Sequence, residues 1–183
     1  MKHGCTKPRG CLMIEHRLIE RAIVFMDAEK KRLEAGGELD SGTIDTLVDF
    51  IKTYADRCHH GKEEDILFKD LESRPLSESE RALMQELTEE HLLGRKLTGQ
   101  LVDAKNDVVA GKKERLADAL DAMQQLIDFY PKHIEKEDKH FFPDTERHYT
   151  KDELDEMIES FYSFDMRLIH EKYKDVVEGL AAG

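Results

Sequence analysis

Histidines and carboxylates recur in this chain at spacings that suit a metal ion. Of nine histidines, four are followed four residues later by a glutamate: His16/Glu20, His59/Glu63, His60/Glu64 and His133/Glu137. Four residues advance a helix by just over one turn, ~6 Å along its axis, and leave both side chains on one face. An imidazole and a carboxylate so placed reach a common cation. The spacing alone says little, because such pairs on an exposed helix contribute only ~0.2–0.5 kcal/mol and need no metal.

Placement on the apolar stripes says more. His59 and Glu63 continue the stripe Val48, Ile51, Ala55, whereas His60 and Glu64 follow the polar positions Thr53 and Arg57. Of these overlapping pairs, the first is expected to face the core. Further on, Ala119, Met123, Leu126, Tyr130, His133 and Glu137 alternate steps of four and three, so the last two point inward as well. His91 follows Met84 and Leu87 at seven and four residues, and His16 shares a face with Ile23. A lone histidine on an apolar face is ordinarily a core residue bonded to backbone. Four inward histidines with two inward glutamates are different. Left unsatisfied at ~1–3 kcal/mol each, six such groups rival the ~5–15 kcal/mol stability of a whole domain. They must pair with one another or bind a cation.

The elements that would position them are helices. Apolar periodicity predicts a first helix over about 12–33, ended by Gly36-Gly37, and a second capped by Ser41 or Thr43. A third follows the capping-box pattern Ser77–Glu80, and a fourth runs from Leu116 to a stop at Pro143. A fifth spans about 150–180. Four helices of ~25 residues with short connections predict an all-α, antiparallel up-down-up-down four-helix bundle, with the fifth helix outside it. Residues 1–11 read as a loose tail, and 12–183 as one domain. Pro131, inside the fourth helix, is expected to bend it just before His133.

Composition narrows the function classes. With 28 basic against 40 acidic residues and a net charge of −12, the chain suits neither nucleic acid nor an anionic membrane surface. It has no apolar run near the ~20 residues of a membrane span and no signal-peptide pattern, so a cytoplasmic location is expected. Three cysteines, Cys5, Cys11 and Cys58, are not a disulfide framework. They are expected as ordinary free thiols, with pairing or metal binding by Cys5 and Cys11 as the alternative.

The segments MIEHRLIE (13–20), HHGKEEDILF (59–68), EEHLLGR (89–95) and HIEKEDKHFFP (133–143) resemble the hemerythrin-like, or HHE cation-binding, family, in family order and one per helix. Glu63 and Glu137 each precede an apolar-Phe pair by the same offset, which favours Glu63 over Glu64 as the ligand. The resemblance implies two non-haem iron ions, held by His16, His59, His91 and His133 with Glu63 and Glu137 as bridges. Imidazole and carboxylate without thiolate suit iron better than structural zinc, with manganese as the next candidate. Two positions depart from the oxygen carriers of the family. Arg95 stands where they have a second histidine on the third helix, and Glu137 takes the role of an aspartate one residue later, where Asp138 lies here. The expected set is therefore one histidine short.

The leading expectation is a di-iron protein that binds or senses a small ligand (O2, NO or peroxide) or handles iron, rather than a dedicated enzyme. An oxidase or peroxidase is the second reading. It is disfavoured because Glu137/His140 is the chain's one Glu-x-x-His match to the ferritin-like pattern. A metal-free helical interaction module is the third. Tyr130, His140 and Glu20 are candidates for the surroundings of the site, and Arg95 for a surface or anion contact. His3, His148 and His170 have no evident role.

Overall fold

A computed structural model describes the backbone of residues 5–182 and the side chains of residues 5–174; His3 lies outside them. Five helices account for nearly all of it, and no strand occurs among the described residues. Helix α1 is Pro8–Glu34. Helix α2 runs through residues 41–71, from α-helical Ser41–Asp49 through π-helical Phe50–His60 and Glu63–Phe68 to Lys69–Leu71. Helix α3 is Glu78–Val109. Helix α4 covers residues 116–146: Leu116–Lys136, a π-helical stretch Glu137–Phe141, then Phe142–Glu146. Helix α5 is Lys151–Ala182. No helix among the described residues is long and apolar enough to cross a membrane.

The ends follow local chemistry. Pro8 opens α1, four residues before the expected start, because its fixed φ and missing N–H suit a first turn. Gly36, at φ 89°, ends it in the left-handed region. Asp40, not Ser41 or Thr43, caps α2, its carboxylate accepting from the Gly42 N–H at 3.1 Å. The expected capping box at α3 is present. Ser77 N–H donates to Glu80 Oε2 at 2.7 Å, and Glu80 N–H to Ser77 Oγ at 3.2 Å. Helix α4 passes Pro143 and stops at Glu146, because the proline falls in the first turn after the π-helical stretch. Cys5 and Cys11 form a disulfide instead of standing as free thiols. The turn entering α1 brings their Cα atoms to 5.2 Å, within bridging range.

Helix α1 packs against α2 and α4, and α3 also packs against α2 and α4. Helix α5 lies on α1 and on the π-helical stretches of α2. Gly61, between those stretches, makes room for it: an added Cβ would stand 2.7 Å from the Phe164 ring. The interior holds two apolar clusters. One gathers Ile23, Ile44, Val48, Leu101, Met123 and Leu126 among others, and the second Leu12, Leu67, Phe68, Leu87, Phe141 and Phe161.

Two outcomes check this packing. Gly61→Ala is expected to lower stability by about 1–3 kcal/mol in urea unfolding, because the ring of Phe164 must shift; an unchanged midpoint would mean that α5 does not seat there. The second concerns Glu80. Burial raises its pKa, but the Ser77 hydroxyl and backbone and the His148 imidazole outweigh this and hold it at about 2. A depressed folded-state pKa adds stability above the ordinary value of 4.5 and loses it as pH falls toward 2. Glu80→Gln should flatten that part of the stability–pH curve, measured by thermal melts across the window.

Candidate metal centre

Between the two apolar clusters each of the first four helices turns polar groups inward. His16 lies between Leu12 and Ile19 on α1, and His59, His60 and Glu63 between Ala55 and Leu67 on α2. On α3, His91 sits between Leu87 and Leu97; on α4, His133 and Glu137 between Tyr130 and Phe141. All seven are at most 2% exposed. They form two groups suited to a metal ion, His16/His59/Glu63/Glu137 and His60/His91/His133, each with ligand atoms within 4.8 Å of one another.

The carboxylates lie between the groups. Glu63 Oε1 is 3.5 Å from His59 Nε2, and its Oε2 is 3.4 Å from His91 Nε2. Glu137 Oε2 is 3.1 Å from His16 Nε2, and its Oε1 is 3.2 Å from His133 Nε2. All of these inward atoms lack a hydrogen-bond partner, as does His60 Nδ1. Native interiors seldom leave such atoms orphaned, and this many together exceed what a domain's stability tolerates. Imidazole nitrogens and carboxylate oxygens converging in a dry layer are a donor set for a divalent or trivalent cation. The residues present therefore fit a metal.

The outer nitrogens are fixed by a ring of carboxylates. Glu15 on α1 holds His59 Nδ1 on α2 at 2.8 Å, and Glu64 on α2 holds His91 Nδ1 on α3 at 2.7 Å. Glu90 on α3 holds His133 Nδ1 on α4 at 2.9 Å, and Asp138 on α4 holds His16 Nδ1 on α1 at 2.7 Å. Each helix thus fixes a histidine of the next, and the ring closes. An ionised carboxylate accepts only, so each Nδ1 carries the proton and each Nε2 faces the layer as a candidate ligand atom. These acids are themselves held: Glu15 by Lys62, Glu64 by Arg95 at 2.8 Å, Glu90 by Lys136 at 2.5 Å and Asp138 by Arg17.

The charge demand of the layer shows in its pKa values. Burial pushes His16 down, but Asp138 and Glu137 outweigh it and carry it up to about 10. Burial likewise opposes His91, yet Glu137, Glu63 and Glu64 raise it to about 11. For Glu137 burial favours the neutral acid, and His133, His16 and His91 overcome that and hold it well below the usual carboxylate range. His60 moves the opposite way, driven well below its ordinary value by burial and by the neighbouring His91, His133 and His59.

The six residues singled out from the sequence, His16, His59, Glu63, His91, His133 and Glu137, are all in this layer. His60 is there too, stacked on His91 with ring centroids 3.9 Å apart, and not on the polar face where α-helical spacing puts it. The reason is the backbone. A π-helix has more residues per turn than an α-helix, so adjacent positions 59 and 60 both turn inward. Glu64 and Asp138 stand behind histidines. Tyr130 is buried next to Phe129, outside both groups. Glu20 pairs with Arg17 at 3.0 Å, His140 and His170 are exposed, and His148 binds Glu80 at 2.8 Å. Cys58 is apart from the layer and donates to Asp165 at 3.2 Å; burial pushes its thiol up to about 12.

A helical bundle with a buried layer of histidines and paired glutamates defines a class of cation-binding protein. The family model for the hemerythrin HHE cation binding domain matches residues 11–145. The chain belongs to the hemerythrin HHE cation-binding family. No curated protein and no solved structure matches it.

The carboxylate ring is open to measurement. Glu90→Gln and Asp138→Asn are each expected to weaken Fe(II) or Mn(II) binding by about 10–100-fold in competition with a chromophoric chelator, with the fold retained. His140→Ala should leave affinity unchanged. Equal affinities in all three would show that the outer carboxylates do not tune the ligands.

Proposed function

We propose that the chain is a non-haem di-iron protein that binds or senses a small ligand such as O2, NO or peroxide. The observation that carries this reading is the position of Glu63 and Glu137. Each turns one oxygen toward His16 or His59 and the other toward His91 or His133, as carboxylates bridging two ions would. The proposed ligands are His16 and His59 for one ion, His60, His91 and His133 for the other, and the two glutamates for both. His60 makes good the histidine that the third helix lacks at Arg95.

Iron is favoured by a nitrogen and oxygen donor set without thiolate. When bound, iron supplies ligand binding and one-electron chemistry. The chain fixes imidazole tautomers through the carboxylate ring, and its apolar clusters above and below exclude water. An antiparallel up-down-up-down order is supported by the clusters. Helices α1 and α3 pass from the Leu12/Leu87 cluster to the Ile23/Leu101 cluster, and α2 and α4 pass the opposite way. A ferritin-like oxidase is disfavoured, because His140, which would complete Glu-x-x-His, is exposed. The orphaned polar atoms weigh against a metal-free module.

Metal analysis of protein loaded anaerobically with ferrous iron is expected to give two ions per chain. Exposure to air should then give near-ultraviolet absorption from bridged ferric iron. His60→Ala should lower the iron content, and His140→Ala should not. A wild-type chain that stays folded and takes up no iron would overturn the reading.

A further inference from the structure

Helix α5 carries two apolar faces, and the bundle uses one of them. Met157, Ile158, Phe161 and Leu168 are buried. Tyr162, Met166, Ile169 and Tyr173 are not. They stand on a neighbouring face, 36–64% exposed, at steps of four, three and four residues. The sequence carries that spacing on through Val176 and Leu180. This is the a/d repeat that packs one helix against another, whereas a helix seated on a core needs a single apolar face. Helix α1 has a matching stripe. Its Ile14, Leu18 and Phe25, 38–64% exposed, point away from the buried His16, Ile19 and Ile23. The two stripes adjoin. Pro8 shares a recess with Leu154, and Ile14 shares one with Tyr162 further along, so α1 and α5 run side by side in the same direction. Each stripe covers ~16 Å of helix.

We propose that this face of α1 and α5 is where a second copy of the chain docks across a twofold axis. The proposal is independent of what the metal centre holds. The seven side chains offer on the order of 800 Å², which is one partner's share of a standard stable interface. The largest apolar patch of a monomer is ordinarily ~300–600 Å². Shape selects the occupant. Two helical ridges with a recess between them accept ridges of the same kind, and a copy of the chain presents that surface in return. The exposed Arg21 and His170 flank the stripes, as a polar rim flanks the apolar centre of an interface.

Sedimentation equilibrium of the full chain tests this. Interfaces of this size hold at micromolar concentration or below, so at ~50 μM the mass should be twice 21.2 kDa. Met166→Glu with Ile169→Glu should leave a monomer, because two carboxylates would be buried in the contact without partners. Val109→Glu, at a similarly exposed apolar position on α3, should leave the dimer intact. Helix content by circular dichroism should be unchanged in both variants, since all three side chains are exposed. A second readout needs no substitution: amide exchange over residues 162–173 should slow as protein concentration rises, and exchange in α3 should not. Should the double variant lose helix content, this exchange measurement decides alone. A wild type that is monomeric at ~50 μM overturns the proposal and leaves the face to a partner of another kind. A dimer that survives the Met166/Ile169 variant overturns it too, because its interface then lies elsewhere. Exchange over residues 162–173 that does not depend on concentration does the same.

Discussion

Two carboxylates with no exposure to water dominate this molecule. Glu63 and Glu137 are 0% exposed, and no hydrogen bond satisfies their four oxygens. In an interior of low dielectric an ionised carboxylate requires positive charge nearby, or it takes up a proton. Five imidazoles meet that requirement together with whatever cation they bind. The requirement explains why the layer draws on all four helices: no single helix presents enough nitrogen donors at one height. It also explains the apolar clusters on both sides, which keep water from screening the charges.

The carboxylate ring turns four independent histidines into one unit. Glu15, Glu64, Glu90 and Asp138 each belong to one helix and hold the imidazole of the next. A shift of any helix relative to its two neighbours would break two such contacts, one on each side. The geometry of the centre is therefore tied to the packing of the bundle. The buried Lys62, bound to both Glu15 and Asp165, extends this coupling outward to α5.

Helix positions and most of the inward histidines were legible because apolar residues at steps of three and four mark a face. His60 was not, because that inference assumes 3.6 residues per turn and α2 departs from it at the very residues concerned. The outer carboxylates had a signal that periodicity ignores: an acid stands directly beside an inward candidate ligand in Glu15-His16, Glu63-Glu64, Glu90-His91 and Glu137-Asp138. Neighbours on a helix point ~100° apart, so a residue beside an inward ligand faces the adjacent helix, where a support belongs. The disulfide could not be read from three cysteines, since the turn at Pro8 sets the distance between Cys5 and Cys11.

The spread of the ligands along the chain has a kinetic consequence. The buried polar layer draws on residues from His16 to Glu137, so no hairpin or half-chain contains it. Contacts between α1 and α4 close a loop of more than a hundred residues, and such long-range closure comes late in folding. The layer is complete only once the last of the four helices has docked. During synthesis on a ribosome, α1 must wait for α4 to emerge before His16 meets Glu137. Until then these groups stay hydrated without their counterparts, and the most polar layer of the interior is also its last to assemble.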